Sequence, residues 1–264
     1  MPAYGNSDLQ ISDNFIENSN ISLKIENSDL SVNGIKISLK DFADRGDSYN
    51  FGPDKNDSGV EFKLLRARKL INNSLMACLK IDFESSWDII SLYATLYKSS
   101  NFIELKFEWD NTRKNHLVCV NLELKNPIKT VYSEDMNTLI KRTFNPDYNI
   151  RTNLPYQKGI EAKNNTAPMQ RGLLIDENEN NIGVITKGLT QYEIFQNNLL
   201  IPILRATGQI SNPDNPARTT PAGPPIEVNS LQMIGKNTAQ MYVFFGNEND
   251  FNKVLNQVYN YIII

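Results

Sequence analysis

"NFIELKFEW", Asn101 to Trp109, alternates without a break. Ile103, Leu105, Phe107 and Trp109 fall on one side, and Glu104, Lys106 and Glu108 on the other. Successive side chains of an extended chain point to opposite faces, so this period of two predicts a strand with one dry face. "HLVCVNLELK", His116 to Lys125, then returns with Val118, Val120, Leu122 and Leu124. The same period runs outward from this pair. "IISLYATLY" opposes Ile90, Leu92, Ala94 and Leu96 to Ser91, Tyr93, Thr95 and Tyr97, and "SLMACLKIDF" aligns Leu75, Ala77, Leu79, Ile81 and Phe83. "NISLKI" (Asn20 to Ile25) and "DLSVNGIKISLKD" alternate as well, and Asn33-Gly34 between the two arms of the latter predicts a type I′ hairpin. So many strands in series predict an all-β chain of antiparallel sheets stacked as a sandwich.

Departures from the period are few. "SEDMNTLIKRTF" admits a short helical turn. The clear helix is last, with Asn249 or Asp250 as cap and then Phe251, Val254, Leu255, Val258 and Tyr259 at helical spacing, near residues 250–260. "SNPDNPARTTPAGPPIEV", Ser211 to Val228, carries five prolines and is expected to be a long loop, ordered or mobile. Loops of that length inside a compact domain are more often functional than accidental. No internal repeat, charge block or interdomain linker stands out, so residues 1–264 are expected to form one domain.

Bulk properties narrow the function classes. A net charge of −3 and a pI near 5.4 give no electrostatic reason to expect nucleic acid as a partner. No apolar run approaches the ~20 residues of a membrane span. "MPAYGNSDLQ" has neither the basic start nor the apolar core of an export signal, so a cytoplasmic location is expected for the chain as written. Cys78 and Cys119 sit inside apolar alternating runs and read as buried free thiols. The single histidine, His116, excludes a multi-histidine zinc centre and reads as a surface or strand-start residue. Glu108 and Asp110 share the solvent side of one strand, which suits a solvated edge better than a glycosidase pair held across a cleft. "GKNTAQ" lacks the first glycine of a phosphate-binding loop. Local motifs alone thus describe a β-sandwich without a catalytic centre of its own.

Several separated stretches, in order, resemble one family, the family 38 glycoside hydrolases, which are zinc-dependent retaining α-mannosidases. "KGLTQYEIFQNNLLIPILRATGQIS" is similar to that family's "neGL-x-EYEV" strand followed by "LLRS-x-G". "NPARTTPAGPPIEV" resembles the next segment, an Arg, a few small residues and then "AGP". "GDSYNFGP", Gly46 to Pro53, resembles a "GDEYNYSP" loop, and "MPAYG" resembles "lPAyGY". "IELKFEWDNTRKNHLVCVNLEL" is similar to a strand pair joined by "xDW-x-E-x-H-K", with the order here Trp109-Asp110.

The resemblance implies a large antiparallel supersandwich of galactose-mutarotase type with a short C-terminal helix, the carboxy-terminal part of such an enzyme. It implies no cofactor in this chain, because the family's zinc ligands and aspartate nucleophile precede the "PAYG" point. A catalytic barrel, as a domain or separate chain, becomes an expected partner. The β domain's loops would then complete the rim of a mannoside site, with Tyr49, Asp47 and Arg218 at the matching positions. Tyrosine stacks on a sugar face, and arginine offers a planar fork. Each has a structural alternative: an apolar anchor for Tyr49, an Asx-turn bond for Asp47, and a loop-ordering salt bridge for Arg218. Trp109 reads as core. Three readings stand open: the non-catalytic sandwich of an α-mannosidase-like protein, a free-standing carbohydrate-binding module, and a structural sandwich without sugar function.

Overall fold

A computed structural model describes residues 9–151, 163–176, 181–218 and 220–260. The "MPAYG" match lies outside them, as do the last four residues.

The alternating runs extend as strands because each buries one side-chain set against a second sheet. Among the described residues one sheet has ten strands and the other nine. The first runs in space from β1 (Gln10–Ile11) through β2 (Phe15–Glu17), β3 (Ser22–Glu26), β4 (Asp29–Val32) and β5 (Ile35–Ala43). It continues through β11 (His116–Glu123), β18 (Asn198–Ala206) and β17 (Gln191–Phe195) to β14 (Thr166–Pro168), with β6 (Val60–Glu61) pairing on β5. The second begins with β13 (Thr138–Thr143), β12 (Thr130–Asp135), β15 (Gly172–Ile175) and β16 (Asn181–Thr186). It ends with β19 (Gly235–Gly246), β10 (Phe102–Asn111), β9 (Ile89–Tyr97), β8 (Met76–Glu84) and β7 (Lys63–Asn72). Every pairing is antiparallel. The core lies between the sheets, where Leu79, Leu92, Leu105, Phe107 and Met241 meet Leu39, Val118, Val120, Leu122 and Ile201. Trp109 is in it, as its place on the dry face requires.

Outer faces are covered as well. Helix α1 (Glu248–Asn260) lays Phe251, Val254, Leu255 and Val258 on Leu174, Ile185 and Phe244 of the nine-stranded sheet. On the other sheet, Phe51 packs onto Phe42, Leu117, Cys119 and Leu200. Double coverage explains why β11 is buried along nearly its whole length rather than at alternate positions.

Several expectations are corrected. β10 and β11 do not pair: residues 112–115 carry the chain from one sheet to the other, because both strands present apolar sides to the same core from opposite layers. "SEDMNTLIKRTF" holds no helical turn but a hairpin, β12 to β13, turned at Met136 and Asn137 with φ of 49° and 63°. Leu75 sits in the β7–β8 turn and is exposed, not aligned with Ala77 and Leu79. The helix is capped two to three residues earlier than predicted, by Asn247, whose Oδ1 accepts from Asp250 N at 3.0 Å. The Asn33-Gly34 turn has φ of 47° and 81°, as a type I′ hairpin needs. Both cysteines are buried free thiols. His116 does start a strand, yet it is buried, with Nδ1 2.9 Å from Asp41 Oδ1 and Nε2 3.0 Å from Asn111 Oδ1.

Candidate functional site

β5, β10, β18 and β19 all begin or end at one edge of the sandwich, since Ala43 and Ala206 flank His116 and Asn111 faces Gly235. The loops that leave these strands therefore gather there. The "GDSYNFGP" loop closes on itself first. Asp44 Oδ1 accepts from Gly46 N at 2.8 Å and Gly52 N at 2.9 Å. The two glycines approach so closely that a Cβ on Gly52 would stand 2.4 Å from Gly46 N. Only residues without side chains permit this closure.

Asp47 then ties this loop to the proline-rich one. Oδ1 accepts from Tyr49 N (3.0 Å) and Asn50 N (3.1 Å), an Asx turn, while Oδ2 accepts from Asn212 N at 2.7 Å. Arg218, 171 residues away, grips both carboxylate oxygens through Nη1 and Nη2. Its other hydrogens go to Thr220 O (2.9 Å), Asn50 Oδ1 (2.6 Å) and Ser211 Oγ (3.2 Å), so all five N–H groups are committed inside the protein. Burial alone would raise the Asp47 carboxyl. The Arg218 guanidinium and the Asn212, Asn50 and Tyr49 amides outweigh it and hold the group below the ordinary carboxylate value. Arg205, from the apolar β18, completes the joint by donating Nε to Asp44 Oδ2 (2.8 Å) and Nη2 to Asp47 O (2.6 Å).

The three predicted residues are thus brought together at one edge. Partial exposure was expected of Tyr49 and Arg218, and for Arg218 it is corrected: the side chain is 4% exposed, paired with the fully buried Asp47 as its counter-ion. Tyr49 is 54% exposed, its ring 5.7 Å from the Arg218 guanidinium and its hydroxyl against Gly223. It borders a depression of about 310 Å³ whose wall includes Asn50, Thr166, Gln191, Glu193 and Arg205. Behind this wall, Arg151 holds Glu193 through two bonds of 2.6 and 3.2 Å and lies over Phe42 and Phe51. Asp44, Arg205 and Glu193 were not singled out from the sequence. The signal available was a charge inside an apolar strand, as in "LLIPILRAT" for Arg205.

The same edge exposes further apolar side chains: Trp87 from the β8–β9 turn with Ile89 at the start of β9, and Ile226, Met233 and Ile234 from the β18–β19 connection. Thr112 Oγ1 donates to Asp88 Oδ1 at 2.9 Å and fastens the β8–β9 turn to this edge. The residues do not fit a zinc ion. Among the described residues no three His, Cys, Asp or Glu side chains cluster as ligands, and His116 is locked between Asp41 and Asn111.

Fold and edge together define a two-sheet antiparallel supersandwich whose polar loop joint sits at one end. It is similar to an alpha-mannosidase from Enterococcus faecalis V583, with a TM-score of 0.75 and 16% identity over 95% of this chain and 31% of that one. A glycosyl hydrolase family 38 protein from Enterococcus faecalis gives the same TM-score and identity, with 95% of this chain and 32% of that one covered. At this identity the likeness shows the fold, and the chain spans about a third of either structure's length. No protein-family model and no curated protein matches the sequence.

Proposed function

We propose that this chain is the non-catalytic β-sandwich portion of an α-mannosidase-like glycoside hydrolase. Its loop-bearing edge packs on a separate zinc-dependent barrel and lends Tyr49 to the rim of a mannoside site. The observation that carries this is the joint itself: five arginine hydrogens and a buried carboxylate are spent on holding two distant loops so that one tyrosine stands out to solvent. In this reading Asp47 and Arg218 are positioning residues, and only Tyr49 touches the sugar. The exposed Trp87, Ile89, Met233 and Ile234 supply apolar area for the partner.

The experiment is reconstitution with a zinc-dependent barrel chain encoded in the same genome. A one-to-one complex is expected, with aryl α-mannoside hydrolysis that neither chain shows alone and that Tyr49→Ala impairs. Failure to associate would overturn the proposal. A second reading, a free-standing carbohydrate-binding module, is favoured by the depression beside Tyr49 with its Arg and amide wall. It predicts mannoside binding by the chain alone, abolished by Tyr49→Ala.

A further inference from the structure

His116 bridges the two sheets at the loop-bearing edge. Asp41 on β5 and His116 on β11 belong to the ten-stranded sheet, while Asn111 ends β10 of the other, and all three side chains are buried. The bonds that Asp41 and Asn111 make elsewhere decide what they can offer the ring between them.

Asn111 Nδ2 donates to Gln232 O (3.0 Å) and Met233 O (3.2 Å), so turning the amide over would set its oxygen against two carbonyls. Its Oδ1 therefore faces His116 Nε2 at 3.0 Å, and it also accepts from Arg113 N at 3.1 Å. On the ring's other side, Nδ1 meets Asp41 Oδ1 at 2.9 Å. Arg113 binds the second oxygen of that carboxylate and lies over Trp87, 4.6 Å from the ring centroid. A guanidinium on one oxygen favours the ionised carboxylate. Across the strands Ala43 and Ala206 flank His116. The charges beyond Ala43, Asp57 and Asp44, are spent on the Ala43 amide and on Arg205. Both ring nitrogens thus face oxygens that bring no hydrogen. A neutral imidazole has one N–H and would set its lone pair against one of them, whereas the imidazolium donates to both.

Loss of one ring proton breaks this arrangement at a defined place. The charge-assisted bond from Nδ1 to Asp41 is the stronger, so the proton leaves from Nε2 to solvent and a lone pair then faces Asn111 Oδ1. Asn111 cannot relieve the clash without giving up Gln232 O and Met233 O. We infer that His116 is a proton-operated latch on this edge. As the imidazolium it holds β11 of one sheet to β10 of the other and, through Asn111, fixes residues 229–234; as the neutral ring it releases them. The latch is closed at low pH and opens as pH rises through the range in which histidine changes charge, the opposite sense to Asp47. Its bearing on assembly rests on the reading of exposed Met233 and Ile234 as partner contacts, in which case docking weakens as pH rises. The latch itself does not depend on that reading.

With one histidine in the chain, imidazole spectra are unambiguous. The test is proton–nitrogen NMR of the ring in the full chain from about pH 5 to 8, with hydrogen exchange corrected for its intrinsic rise with pH. At about pH 5 both ring nitrogens should carry protons. The amides to follow are Asn115, which donates to Gln232 Oε1, and Met233, which donates to Ser230 O. Their protection should fall about tenfold as the Nε2 proton is lost, while Leu105 and Val120 in the core stay protected. His116→Gln, which does not titrate in this range, should abolish the step. Asn111→Ala should leave both amides equally loose at either end of the range, and it carries the comparison if His116→Gln does not fold. Neither measurement needs a partner, so the latch and the docking reading fail separately. A neutral ring in the folded chain at about pH 5 overturns the inference. So does protection that stays flat across the range, or a step of the same size in either variant.

Discussion

Asp47 shows how much one buried side chain can carry. It organises its own turn, holds Asn212 and neutralises Arg218, all without contact with solvent. Asp47→Ala would leave the guanidinium buried and unpaired, and a loss of about 3–5 kcal/mol in urea denaturation is expected. Arg218→Met should cost a comparable amount, and the double variant less than the sum, because both remove one interaction. Tyr49→Ala should change stability by about 0.5 kcal/mol or less, being exposed. Acid should loosen the same joint. The folded-state pKa of Asp47 lies below its ordinary value, so its contribution is complete above pH of about 4 and is lost as pH falls through the folded value. Hydrogen exchange at the Tyr49, Asn50 and Asn212 amides should rise below that pH before the core opens. Had Asp47 been read only as an Asx-turn residue, the turn would have been legible and its partner would not: the partner is 171 residues away.

Among the elements, α1 is the one the sheet depends on least for geometry and most for cover. Phe251 is fully buried and meets Phe244 at 5.7 Å, and a Cβ on Gly183 would stand 2.6 Å from its ring. Glycine there is what lets the ring lie on the sheet. Phe251→Ala is therefore expected to cost about 3–5 kcal/mol and Asn247→Ala about 1 kcal/mol, both read from thermal or urea unfolding. The helix was legible from its 3.6-residue spacing. Its cap was displaced because Asn247, Asn249 and Asp250 are all good cap residues, and the end of β19 at Gly246 decides among them. The β12–β13 hairpin was missed for a similar reason. Met136 and Asn137 adopt left-handed turn geometry without the glycine that would announce it.

For the molecule as a whole, circular dichroism should show helix far below the roughly one-third of ordinary domains, since the described α-helix has 13 residues. The isolated chain is expected to hold no stoichiometric zinc and to leave aryl α-mannosides intact, as metal analysis and a hydrolysis assay will show. One tightly held zinc per chain would contradict the reading of His116 as a partner of Asp41 and Asn111.

What the sequence determined by itself is the class of structure. A period of two is a local property, and burial of Leu92, Leu105, Phe107, Val118 and Leu122 follows from it wherever the strands end up. Which sheet each strand joins is not local. β10 and β11 are neighbours in the chain and strangers in hydrogen bonding, because pairing is chosen by partners far along the sequence. Only the tertiary structure decided that, and with it the fate of the charged residues. Read beside Thr220 and Pro221, Arg218 stood open between a ligand contact and a loop-ordering salt bridge. Folding brought Asp47, Asn50 and Ser211 against it, and a buried guanidinium without a counter-ion is too costly for any other outcome.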